Sequence, residues 1–110
     1  MSEDTARWNQ LITQAKTFLE RVTSSAWDAA AAQFDATMSQ AMPAAKLEET
    51  WQTIEAQAGK FEKQTGVRTT VDQGYECVFV GTSFANAPLE MKVVFDKDSK
   101  ITGLLFTPPQ

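Results

Sequence analysis

The chain has 110 residues, 10 basic and 14 acidic, a net charge of −4, 43% hydrophobic residues, one cysteine and no histidine. That is enough for one core, excludes an intrachain disulfide and a zinc site built on histidine or several cysteines, and offers no basic face for nucleic acid. The polar start, MSEDTARWNQ, is unlike a signal peptide and no window is long enough to cross a bilayer, so a cytoplasmic location without membrane insertion is expected, unless a leader has been removed.

The first half reads as helix. Trp8, Leu11, Ile12, Ala15, Phe18, Leu19 and Val22 recur every three or four residues, which predicts one long amphipathic helix. Ser2 or Asp4 is its expected cap, and Thr23-Ser24-Ser25 its end. A second helix is predicted from Ser25, with Trp27, Ala30, Ala31 and Phe34 on one stripe. Asp35 is placed to cap a short helical turn over 36–42 that carries Met38 and Met42 inward. Pro43 opens a third main helix, which buries Leu47, Trp51 and Ile54 and stops at Gly59.

After Gly59 the hydrophobic period changes from 3.6 to 2. Four strands are predicted, over 60–74 with a bend at Gly66, then 75–84, 89–96 and 100–108. Their short connections make them antiparallel neighbours in a four-stranded meander. The expected fold class is therefore α+β: three N-terminal helices on one face of the meander, in one domain over 1–110, helical over 4–59 and sheet over 60–108.

Leu89, Met91, Val93 and Phe95 share one face of the third strand. The other strands show apolar residues on both faces, more than three helices cover. Val78, Val80, Val94, Leu104 and Phe106 are predicted to form the face away from the helices. A second copy is the simplest cover for such a patch, so a homodimer built sheet to sheet is expected. The competing arrangement folds the first strand and the tail from Thr107 to Gln110 over it. Cys77, a lone thiol in a strand, is expected to be a small buried hydrophobe.

The run WDAAAAQFD with Trp27, Phe34 and Asp35, then Trp51 with Gly59, then VVFDKDSKITGLLFTP at the end, resembles the domain-of-unknown-function family 3887 over residues 23–108. The resemblance implies a small cystatin-like, nuclear-transport-factor-2-like α+β cone, found alone or ahead of an α/β-hydrolase domain. It brings no catalytic residues, and the chain has no G-x-S-x-G nucleophile elbow.

A cone of that kind leaves a pocket at its wide end, where a small apolar ligand is the expected occupant. Asp35, Tyr75, Trp27, Trp51 and Met38 are the candidate pocket or ligand-binding residues. As a general base, Asp35 or Asp28 would need a carboxylate raised in pKa by an apolar cleft. The structural alternative makes Asp35 a helix cap, Asp28 a first-turn acid, Tyr75 a rim residue and the tryptophans core. Asp96 and Asp98 read as turn residues rather than cation ligands, and no metal or cofactor is expected. Lack of histidine lowers the enzymatic reading. The sequence thus points to a non-catalytic small-molecule-binding or protein-interaction module, the alternative being a small isomerase- or hydrolase-type enzyme with an acid in the cone. A cone filled by Phe, Met and Trp favours the module.

Overall fold

The computed structural model describes residues 2–108, with side chains from Thr5 onward. The described residues form four helices, α1 (Ser2–Thr23), α2 (Trp27–Ala31), α3 (Ala36–Ala41) and α4 (Ala44–Ala58). Four strands follow, β1 (Phe61–Asp72), β2 (Tyr75–Phe84), β3 (Pro88–Phe95) and β4 (Ile101–Thr107). The strands form an antiparallel meander in the order β1-β2-β3-β4, as the short connections predict. The helix count is four rather than three because the turn capped by Asp35 stands as a helix of its own. The Ser2 and Asp4 side chains proposed as the α1 cap lie outside the described residues, as do Pro109 and Gln110 of the tail.

The stripe on α1 becomes the centre of the core. Leu11, Ala15, Phe18, Leu19 and Val22 are all buried. The helix ends where Ser25 turns into the left-handed region (φ 62°). Ser25 N–H then donates to Val22 O (3.1 Å) and Ala26 N–H to Arg21 O (2.8 Å). This is a Schellman cap, which satisfies carbonyls the helix leaves free. Helix α2 is short, and the chain straightens by Phe34, which bridges Ile101 in parallel. Asp35 N–H donates to Ile101 O (2.8 Å) and Ile101 N–H to Gln33 O (2.9 Å), so residues 33–35 cover the free edge of β4 at its start.

Helix α4 ends at Gly59, whose φ of 88° and ψ of −179° belong to a region open essentially to glycine. The β2–β3 connection docks against this corner: Asn86 N–H donates to Ala58 O (2.7 Å) and Ala85 N–H to Lys60 O (2.9 Å). The sheet therefore starts from a fixed point on the helical layer.

Pairing fixes which side chains share a face. On the helix side the rows are Val71–Glu76–Phe95–Ile101, Thr69–Val78–Val93–Leu104 and Val67–Val80–Met91–Phe106. On the other side they are Thr70–Cys77–Val94–Gly103, Arg68–Phe79–Lys92–Leu105 and Gly66–Gly81–Glu90–Thr107. This corrects the predicted dimer face. Val78 and Val80 are fully buried under the helices, and Leu104 and Phe106 pack on the same core; of the five residues named, only Val94 faces away. For Leu104 and Phe106 the cause is a bulge in β4. Val94 pairs with Gly103 and Phe95 with Ile101, leaving Thr102 as an extra residue that reverses the alternation.

Candidate functional site

The five candidate pocket residues do not share one site: Asp35 and Met38 meet at one helix cap, Trp27 and Trp51 line one cleft, and Tyr75 stands apart. Asp35 is the N-cap of α3, and its Oδ1 accepts from Met38 N–H at 2.8 Å. That bond, with a further one from the Thr102 side chain, holds the Asp35 carboxyl below the usual carboxylate range, against the opposing effect of burial. Met38 is buried beneath the same turn. Tyr75 is exposed at the far end of the β1–β2 hairpin. It pairs with the last residue of β1, whereas Trp51 packs on Phe61, the first. A 12-residue strand separates the two by on the order of 30 Å.

Trp51 is the hub of the interior. It is 5% exposed, with ring centroids of Phe84, Phe106 and Phe61 at 5.4, 5.8 and 6.0 Å. Tilted and edge-on pairs of this kind are the preferred aromatic packing and exclude a ligand-sized void among them. These rings belong to the same buried cluster as Met38, Met91 and Leu47. Trp27 is half-buried. With Trp51, Phe61, Glu48 and Glu55 it lines a cleft of about 220 Å³ between the end of α1, α4 and the start of β1, open to solvent.

Charged groups that sequence reasoning passed over hold the two layers together. Arg7 on α1 reaches the sheet, donating from Nε (3.0 Å) and Nη2 (2.8 Å) to Glu76 Oε1 and from Nη1 to Ser99 Oγ (2.5 Å). The Glu76 bonds raise the Arg7 pKa above its ordinary value. On the outer sheet face Arg68 makes a bidentate pair with the nearly buried Glu90 (2.8 and 2.9 Å). Its guanidinium lies 3.8 Å above the Phe79 ring, and Lys92 reaches over the same ring to Asp72 (3.2 Å). Long side chains therefore lie flat across this face. Val94 crosses Gly103, and Cys77 is buried beneath its neighbours, which pushes its thiol pKa up. Leu105 (53% exposed) is the one large hydrophobic of the three rows that stays open. The alternation of Arg68, Glu90 and Lys92 with apolar neighbours is visible in the sequence; that they pair with one another requires the register.

Asp96 behaves as a turn residue: its Oδ1 accepts from Asp98 N–H and Lys100 N–H, both at 2.9 Å. Among the described residues no helix is long and apolar enough to cross a membrane.

Residues 15–104, most of the chain, match the family described as protein of unknown function (DUF3887). The chain belongs to that family. No curated protein and no solved structure matches it. Membership carries no activity, so the function must be read from the geometry.

Strand β1 provides a further surface, away from the core. The helices cover β2 and β3, where Val78, Val80, Met91 and Val93 are fully buried. In the same rows on β1, Val67 is 40% and Val71 61% exposed. Over residues 66–72 the pairing with β2 is regular, bounded by a register shift before Gly66 and by the turn at Gln73-Gly74. Among the described residues, nothing outside the β1–β2 ladder hydrogen-bonds to the backbone of this stretch.

Proposed function

We propose that this protein is a non-catalytic protein-interaction module whose working surface is its sheet and not the interior of a cone. The observation that carries this reading is the filled interior: Trp51 and its three phenylalanine partners occupy the space where a ligand would sit. The acid best placed for catalysis supports it from the other side. A general acid or base working near neutrality needs a raised carboxyl pKa. Asp35 is held low by the helix it caps, and its oxygen is engaged by a backbone donor.

The test is a fluorescence titration with an apolar dye, anilinonaphthalene sulfonate, and with short fatty acids. The filled interior predicts no saturable uptake and no change in Trp51 emission, isolated in a variant with Trp8 and Trp27 replaced by Phe. Stoichiometric uptake with quenching of Trp51 would place a ligand pocket inside and overturn the proposal.

A further inference from the structure

We infer that two copies of this chain pair through the free edge of β1, joining their sheets into one of eight strands. The inference rests on the interaction-module reading and adds the partner and the register.

Gln73 and Gly74 both have positive φ (53° and 85°) and join Asp72 directly to Tyr75. This is the two-residue type I′ hairpin, whose flanking residues form a hydrogen-bonded pair. In an antiparallel ladder hydrogen-bonded and non-hydrogen-bonded pairs alternate. Asp72, Thr70 and Arg68 therefore point their N–H and C=O groups at β2. Val71, Thr69 and Val67 point theirs at solvent, along an edge that nothing in the described chain covers. The opposite edge, on β4, is blocked at its start by residues 33–35.

Natural proteins shield edges with bulges, prolines or charges that project along them. Residues 66–72, GVRTTVD, contain no proline. Their one basic group, Arg68, is drawn onto the outer face by Glu90. The three residues with free backbone groups are all β-branched, and their side chains stand on the helix side of the sheet, where the helices leave β1 itself bare. The sequence is self-complementary about Thr69, the midpoint of the regular stretch. Two copies related by a two-fold axis there place Val67 of one opposite Val71 of the other, and Thr69 opposite Thr69, all in hydrogen-bonding positions. On the other face Arg68 of each copy falls opposite Thr70 of its mate and diagonal to both Asp72 and Arg68 there, with its own guanidinium held back by Glu90. A second copy thus satisfies the free edge and covers both exposed valines with a matching Val-Thr-Val row, which an unrelated strand would supply only by chance.

The parity of the strand supplies the test. Proline is tolerated on an edge strand where its missing N–H faced solvent. Thr69→Pro should leave the fold intact and abolish pairing. Val71→Lys, which changes no backbone group, keeps the test decisive if the proline variant does not fold. Light scattering and sedimentation equilibrium are expected to give wild type twice the 12.2 kDa chain mass at high concentration. Both variants should give the single-chain mass with unchanged far-ultraviolet dichroism. A monomeric wild type overturns the inference, and points to a strand from another protein if the edge is used at all. A dimer that survives in both folded variants overturns it, and so does one lost only in Leu105→Glu, which would move the contact to the outer face. The dye titration reads the interior independently of mass, so a ligand-filled cone and an unpaired edge are separate results.

Discussion

Replacing Gly59 with alanine should unfold a substantial fraction of the protein's stability from a single methyl group. Two costs meet there. The first is the backbone, since φ 88° with ψ −179° is a conformation that side-chain-bearing residues hold only at about 1–3 kcal/mol. The second is steric. An added Cβ would stand 2.7 Å from Ala85 Cβ and 3.1 Å from Asn86 N. Carbon contacts relax near 3.5–4.0 Å, so the loop must retreat by about 1 Å. That retreat pulls on the Asn86–Ala58 hydrogen bond (2.7 Å), and overpacking of this kind costs about 1–3 kcal/mol. Together the loss is about 3 kcal/mol or more, against a total of roughly 5–15 kcal/mol for a domain. Gly74→Ala is the control: φ is 85° but nothing lies within 4 Å of the added Cβ, which leaves only a backbone cost of about 1–2 kcal/mol. Urea unfolding followed by dichroism, with unchanged slopes, compares the two. If Gly59→Ala costs no more than Gly74→Ala, the docking of the β2–β3 loop on the helix end is not what fixes this corner.

Further outcomes follow from the local chemistry of Asp35, Ser25 and Cys77. Asp35→Ala should cost about 1 kcal/mol at neutral pH, whereas Asp35→Asn, which also caps, should cost a few tenths; equal losses in urea titrations would remove the capping role. Because the folded pKa of Asp35 is lowered, its carboxylate contributes stability above its unfolded value near 3.8 that is lost as pH falls through the folded value. Wild type should therefore destabilise more steeply than Asp35→Asn below about pH 4. Ser25→Gly relieves a left-handed serine at the Schellman cap (φ 62°) and should raise stability by about 1 kcal/mol, seen as a higher urea midpoint. Cys77, buried and held protonated, should react with a thiol reagent only as fast as the protein opens; rapid labelling of the native state would contradict its burial.

Much of this architecture was readable from residue order, and the failures have physical causes. The 3.6-residue stripe of α1, the Asp35 cap and the Gly59 stop are local signals, and each appears where expected. So is the meander, whose connections are too short for any other topology. The faces of the sheet were less legible. Cys77 and Phe79 look as apolar as Val78 and Val80, and only the neighbouring strands show that Arg68 and Lys92 lie over Phe79. The Thr102 bulge that reverses Leu104 and Phe106 sits beside long-range partners, Phe34 and Asp35, absent from any local window. Residue order predicts β1 as a strand bent at Gly66, without showing that its outer edge is free. Its importance lies in what fails to cover it, which depends on where α1 settles.

The account turns on that edge, and amide hydrogen exchange at residue resolution addresses it most directly. The amides of Arg68 and Thr70 face β2 and should exchange slowly at every protein concentration. Those of Val67, Thr69 and Val71 should exchange quickly in dilute protein and become protected, together and steeply, as concentration rises through the dimerisation range. If these three amides exchange as fast in concentrated protein as in dilute protein, the edge is not where this chain meets its partner and the central claim is wrong.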